Sequence, residues 1–365
     1  MHLARFVSLA LITIALTTAG AVLAPVPPAT AAEPLTGDLQ AHDPALVVGG
    51  PGEPWYVFST GDATVGGGMI QIRTSTDGRQ WTFAGTVWDT MPGWIKEAVP
   101  GAENVWAPEI HRHGATYYLY YAASIFGKNT SAIGLATNTT LNPNDPNYKW
   151  VDRGEVLRST SDSDYNAIDP GIVEDAGGVP WMAFGSYWSG IRMVQLQWPS
   201  GLPTSAEAEI LHIADRQAEP NAIEAPVITR HDGWYYLFTS WGACCQGVDT
   251  DYRIVVGRSR EVTGPYVDRD GRSLLEGGGT TLVSTAGDRI GPGGQSLSEG
   301  VLAYHYYDAT AGGAPRLALE RLSWSNTDGW PEVPPGTGPE PNVSNPAPAL
   351  SELVNQVKTR MPVTR

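Results

Sequence analysis

The chain has 365 residues and a formal net charge of −15, which argues against nucleic acid or an anionic membrane as partner, because phosphate contacts need basic patches. Glycine (42) and proline (29) are plentiful, charged residues are sparse at 17%, and Trp and Tyr number 13 and 15, a composition that predicts a turn-rich, strand-rich fold with many flat aromatic faces. The two cysteines, Cys244 and Cys245, are neighbours and cannot staple distant segments, so stability must come from the core.

At the N-terminus, Arg5 precedes an apolar run from Phe6 to Thr17 and a small-residue region ending Ala29-Thr30-Ala31-Ala32. This layout reads as a signal peptide over residues 1–32, hence a secreted, extracellular protein. Pro25, Pro27 and Pro28 interrupt any extension into a membrane anchor, and no later stretch approaches a spanning length.

A repeat follows. The segments His42-Asp43-Pro44, Trp106-Ala107-Pro108-Glu109, Ile168-Asp169-Pro170, Glu224-Ala225-Pro226 and Ile290-Gly291-Pro292 place prolines 64, 62, 56 and 66 residues apart. After each proline comes a turn signal and an aromatic, strand-like run: Trp55 to Ser59, Tyr117 to Tyr121, Trp181 to Ser186, Trp234 to Ser240 and Val301 to Tyr307. A further run closes each unit: Met69 to Thr74, Ala132 to Ala136, Ile191 to Leu196, Tyr252 to Gly257 and Arg316 to Leu322, with Trp81 as a fourth-strand residue in the first. Helical periodicity of useful length is missing between Glu33 and Trp330. Units of this size with three or four strands are propeller blades, and the expected fold is all-β, a five-bladed β-propeller over residues 33–335. The Pro- and Gly-rich end, residues 336–365, reads as a disordered tail.

The first strand of each propeller blade lines the central channel, so residues beside the repeated proline converge there. These are Asp43, Asp169 and Glu224, with Glu109 on the far side of its own proline. Converging carboxylates repel and are costly to desolvate, which points to use; glycoside hydrolysis needs one acid for the leaving oxygen and one base for water. Asp before Pro is also a common turn opener, whereas Glu224, two before its proline in an apolar context, is poorly explained that way. For Cys244-Cys245 a strained bond and two free thiols both stand open, and the pair alone lacks the ligands of a metal site.

The constellation resembles glycoside hydrolase family 43, and within it the endo-1,5-α-L-arabinanases. The matching segments are Ala41-His42-Asp43-Pro44, Trp106-Ala107-Pro108-Glu109, Asn166 to Pro170, Gly185 to Gly190, Ile223 to Pro226, Cys244 to Gly247 and Tyr304 to Asp308. The resemblance implies an inverting hydrolase with its site at the central channel: Asp43 as general base, Glu224 as general acid, and Asp169 raising and orienting the acid. It implies substrate contacts at Asn166, Ser186, Tyr187, Trp188, Phe126 and Gly127, and places Cys244-Cys245 near the cleft. Trp94 and Trp106 are further candidates for a sugar platform because of their flat apolar faces. Arabinan, or another arabinose-containing polysaccharide, is the expected partner of a monomer that requires no cofactor. Relatives carry an ion-holding histidine where this chain has Gly294, followed by Gln295. An axial calcium would have only His305, a poor site for a cation that prefers six to eight oxygens. An exo-acting α-L-arabinofuranosidase or β-xylosidase and a non-catalytic carbohydrate-binding propeller are the alternatives.

Overall fold

The computed structural model describes residues 34 to 334; the signal peptide expected at residues 1–32 and the tail expected at 336–365 lie outside the described residues. Five mainly antiparallel blade sheets follow one another along the chain, with a small two-stranded sheet of Ser323–Trp324 and Pro331–Glu332 after the fifth, and the fold is the expected five-bladed β-propeller. Their innermost strands are Ala45–Val47, Val105–His113, Gly171–Glu174, Ile223–His231 and Arg289–Ser298, and each abuts the next around a ring that closes from the fifth to the first. Blades I to V are numbered in that order.

The second strands, Trp55–Ser59, Thr116–Ala123, Pro180–Phe184, Trp234–Trp241 and Val301–Asp308, reproduce the aromatic runs of the sequence closely. The third strand of blade III begins at Ile191 as expected, and the other four begin one or two residues away: Gln71–Ser75 rather than Met69, Ser131–Asn138 rather than Ala132, Arg253–Ser259 rather than Tyr252, Ala314–Arg321 rather than Arg316. Ser186 lies beyond the strand that ends at Phe184, in the loop that follows. Trp81 is in the fourth strand of blade I, Gln80–Thr86.

These strands are apolar on both faces because each blade is sandwiched between two others, so the two-residue period sorts side chains between neighbours. Tyr56 and Phe58 enter a cluster with Leu119 and Tyr121 of blade II, while Trp55 and Val57 pack with Val301 and Ala303 of blade V. Tyr118 and Tyr120 meet Met182 and Phe184; Ala183 meets Tyr235 and Leu237; Tyr236 and Phe238 meet Leu302 and Tyr304. Five apolar clusters thus fill the five gaps between blades. The entering chain helps close the ring: Thr36–Gly37 pairs in parallel with Gln80–Trp81 of blade I, and Leu39 accepts a hydrogen bond from Leu317 of blade V.

Because the inner strands run away from Asp43, Ala107, Asp169 and Ala225, and the second strands run back, the loops after the second strands all lie on the face that carries the carboxylates. A recess of about 860 Å³, bordered by Val48, Arg112, Leu141 and Glu299, opens at the other end of these strands, away from that chemistry.

Candidate active site

The repeated proline marks a repeated backbone kink. Asp43, Ala107, Asp169, Ala225 and Gly291 stand immediately before the five prolines, and all have left-handed φ, between 39° and 56°. For a residue with a Cβ this region is unfavourable, by about 1 kcal/mol or more, and such strain clusters at functional sites. Its effect here is to free amides from the ladder. Pairing jumps from Trp106 to Glu109 and from Glu224 to Val227, and proline has no N–H to leave unsatisfied. The released pre-proline amides donate to side chains of adjoining blades: Asp43 to His305 Nδ1 at 3.1 Å, Ala107 to Thr60 Oγ1 at 2.9 Å, and Ala225 to Asp169 Oδ2 at 3.1 Å. Glu224 is therefore not the positional twin of Asp43 and Asp169; it stands one residue earlier in its kink. The three carboxyls nevertheless converge, as Asp43 and Asp169 line one narrow cavity on the axis, Asp169 feels the field of Glu224 and Asp43, and Glu224 feels that of Asp43.

Asp43 is held as a carboxylate. Burial opposes its charge, but His42, whose Nδ1 lies 2.7 Å from Oδ2, and the Thr60 hydroxyl at 2.6 Å outweigh that, and its pKa falls below the usual range. His42 shows the converse: burial disfavours the imidazolium, yet Asp43 raises its pKa well above the ordinary value. As an imidazolium it donates from Nδ1 to Asp43 and from Nε2 to Tyr307 Oη at 2.9 Å. Its ring stacks on His305 at 3.8 Å, which burial keeps neutral.

Glu224 is shaped the other way. Burial dominates and lifts its pKa to about 7, against the hydrogen bonds that Ser186 donates to Oε2 at 2.6 Å and Tyr252 donates to Oε1 at 2.8 Å. Asp169 is pushed well above the ordinary value, by burial first and then by Glu224 and Asp43, with the Ala225 amide and the charge of His42 opposing. Asp169 and Glu224 are thus both held toward their protonated forms, facing an ionised Asp43. Two carboxyls whose environments drive their pKa values apart is how acid and base roles are divided. Glu109 also lies on the axis, lifted by burial to about 8, and accepts from the Ile172 amide at 3.4 Å.

The remaining expected residues fall in three settings. Ser186 bonds the acid directly, and Tyr187 and Trp188, both with left-handed φ, continue the same loop; Trp188 is 39% exposed. Phe126, 76% exposed, and Gly127 lie in the corresponding loop of blade II. Asn166 is buried and accepts from Ser131 at 2.7 Å, bracing the loop before Asp169, while Trp106 is partly buried beside the Ala107 kink. Trp94 is partly buried, packs against the blade I–II core and donates to Asp152 at 3.3 Å. The sulfurs of Cys244 and Cys245 lie 2.7 Å apart, and the pair borders the site: the Cys245 amide donates to Tyr307 Oη at 2.7 Å. Sequence reasoning missed Thr60, Tyr252 and Gln295 as site residues. Their strands were visible, but no local pattern distinguishes a channel-facing hydroxyl or amide from an ordinary strand end.

His42, Asp43 and His305 offer ligand atoms within 4.8 Å of one another, a group that could hold a metal ion. Calcium does not fit it. Its lone carboxylate is engaged by His42 and Thr60, the His305 Nδ1 lone pair accepts the Asp43 amide, and two imidazoles cannot replace six to eight oxygens. A histidine at position 294 would crowd the site as it stands, since a Cβ on Gly294 would be 2.4 Å from Asp43 Oδ1 with φ at +57°.

Comparison with known proteins finds relatives of the same fold along most of the chain. "Extracellular endo-alpha-(1->5)-L-arabinanase 1" of Bacillus subtilis (strain 168) is 41% identical over 315 residues, 86% of this chain and 94% of its own length. "Extracellular exo-alpha-(1->5)-L-arabinofuranosidase ArbA" of Cellvibrio japonicus (strain Ueda107) is 40% identical over 311 residues, 81% and 86% of the two chains. The solved GH43 endo-arabinanase of Bacillus licheniformis superposes with a TM-score of 0.76 at 42% identity, over 82% of this chain and 99% of that one. The family description "Glycosyl hydrolases family 43" matches residues 33–331, and the chain belongs to that family.

Proposed function

We propose that this chain is a secreted arabinan hydrolase that cleaves internal α-1,5-L-arabinofuranosidic bonds with inversion. The carrying observation is the buried pair Asp169 and Glu224 facing the ionised Asp43 across a channel. Glu224, protonated to about pH 7, gives its proton to the departing sugar oxygen. Asp43, kept ionised by His42 and Thr60, takes the proton of the attacking water. Asp169 keeps a second carboxyl beside the acid. No ion enters these steps. Secretion rests on the signal-like residues 1–32 and on the word "Extracellular" in the names of both relatives.

Internal attack is supported by the identity to the Bacillus subtilis endo-enzyme and by exposed Phe126 and Trp188, which offer aromatic faces from two different blades on the catalytic face. The Cellvibrio japonicus exo-enzyme is nearly as similar and favours terminal attack as the second reading. On linear arabinan the expected first products are arabino-oligosaccharides, followed by chromatography of the early time course. Release of arabinose alone from the start would replace the endo assignment with the exo one.

Asp169→Asn tests the role of the second carboxyl. Removing the neighbouring carboxylate lowers the Glu224 pKa, so the alkaline limb of the kcat profile moves to lower pH while the rate drops. An unmoved limb would show that Asp169 acts on something other than the acid.

A further inference from the structure

The kink that carries Glu224 needs an anchor, because its turned-out carbonyl has left the ladder of blade IV. Ala225, at φ 51°, sits in the gap between the paired residues Glu224 and Val227. Its amide reaches Asp169 Oδ2, but its carbonyl faces the channel and meets the side chain of Gln295, whose Nε2 donates to it at 2.5 Å. Gln295 is 4% exposed and belongs to a similar irregularity in blade V, where pairing jumps from Gly293 to Ser296. The other end of the amide is fixed as well: Oε1 accepts from Ser240 Oγ at 2.8 Å, and Ser240 Oγ accepts from the Gly294 amide at 2.9 Å. Ser240 is the cross-strand partner of Glu224.

We infer that Gln295 is a positioning residue that clamps Ala225 by its carbonyl and so keeps the Ala225 N–H aimed at Asp169 beside Glu224. This rests on the hydrolase reading above for its kinetic consequence, though not for its chemistry. A primary amide suits the task since it offers a donor to a carbonyl and an acceptor to a hydroxyl without adding charge to a crowded anionic site. Clamped, Ala225 aims its N–H at Asp169 and favours the ionised form there, whose charge favours a protonated Glu224. Released, Ala225 swings, Asp169 loses its one amide donor and protonates more readily, and Glu224 ionises at lower pH.

Gln295→Met keeps length and volume and removes both hydrogen bonds. The expected result is a kcat lowered by about 10–100-fold, as for small misplacements of reacting groups, with KM unchanged. The alkaline limb should also fall by about half a pH unit or more. In the Asp169→Asn background the same replacement should no longer move that limb, because the group it acts through is gone. Carbon-13 NMR titration of the labelled Glu224 and Asp169 carboxyls reads the same shift without turnover, so it decides the question even if wild type leaves arabinan intact, an outcome that would sink only the hydrolase reading. Ser240→Ala, which releases the other end of Gln295, serves if the first variant fails to fold. An unmoved Glu224 titration, or an equal shift with and without Asp169, overturns the positioning role.

Discussion

Glu224→Gln is expected to lower turnover on linear arabinan by at least about 10²–10⁴-fold, the usual worth of a general acid. Glutamine keeps the volume and still pairs with both hydroxyls, accepting from one at Oε1 and donating to the other from Nε2, so the loss isolates the missing proton. Rate should recover on arabinosides with an acidic phenol as leaving group, which departs without protonation; failure to recover would remove Glu224 from the acid role. The same variant should be more stable than wild type above neutral pH. A carboxyl raised from 4.5 when unfolded to about 7 when folded binds more protons in the native state between those values. Native stability therefore declines as pH rises from 4.5 to about 7 and stays lower beyond it, by up to about 3 kcal/mol at about 1.4 kcal/mol per pKa unit. Glutamine has no charge to desolvate. A Tm at pH 8 above that of wild type, and converging with it at pH 4, is the expected pattern; an equal gap at both pH values would contradict the burial argument. A sugar-binding propeller without catalysis would tolerate Glu224→Gln with no change in what it does.

Asp43→Asn should be as damaging, by about 10²–10⁴-fold, but for a different reason and with a different remedy. Asparagine tolerates the left-handed φ of 50°, so the kink and the amide bond to His305 persist. What disappears is the group that deprotonates water. Azide needs no deprotonation and can attack in its place, so added azide should restore turnover and yield a glycosyl azide of inverted configuration. No rescue, or a product with retained configuration, would defeat the base assignment. His42 should respond too: without the Asp43 charge its raised pKa falls back under the pull of burial, which an imidazole NMR titration would follow.

The number of blades, the aromatic second strands and the three carboxylates were legible along the chain because each blade repeats the same demand. A strand buried on both faces must be apolar throughout, so Trp55 to Ser59 and Trp234 to Trp241 stand out from Gly- and Pro-rich turns. Strand ends were less legible. Met69 and Ser186 have strand-like neighbours, yet hydrogen bonding, which no residue type reports, decides where the ladder stops. Trp94 shows the limit for side chains, since a tryptophan suits a sugar platform and a blade core equally until its neighbours are known.

By itself the sequence determined the fold and singled out the candidate acids, through apolar periodicity and a proline that reappears once per blade. Only the tertiary structure decided how protons are distributed among those acids. That depends on His42 and Thr60 reaching Asp43, on Tyr252 and Ser186 reaching Glu224, and on the Ala225 amide reaching Asp169. Several of these contacts join separate blades. The energy of a buried charge is set by atoms a few ångströms away in space, and closing the ring brings those atoms together from distant parts of the chain.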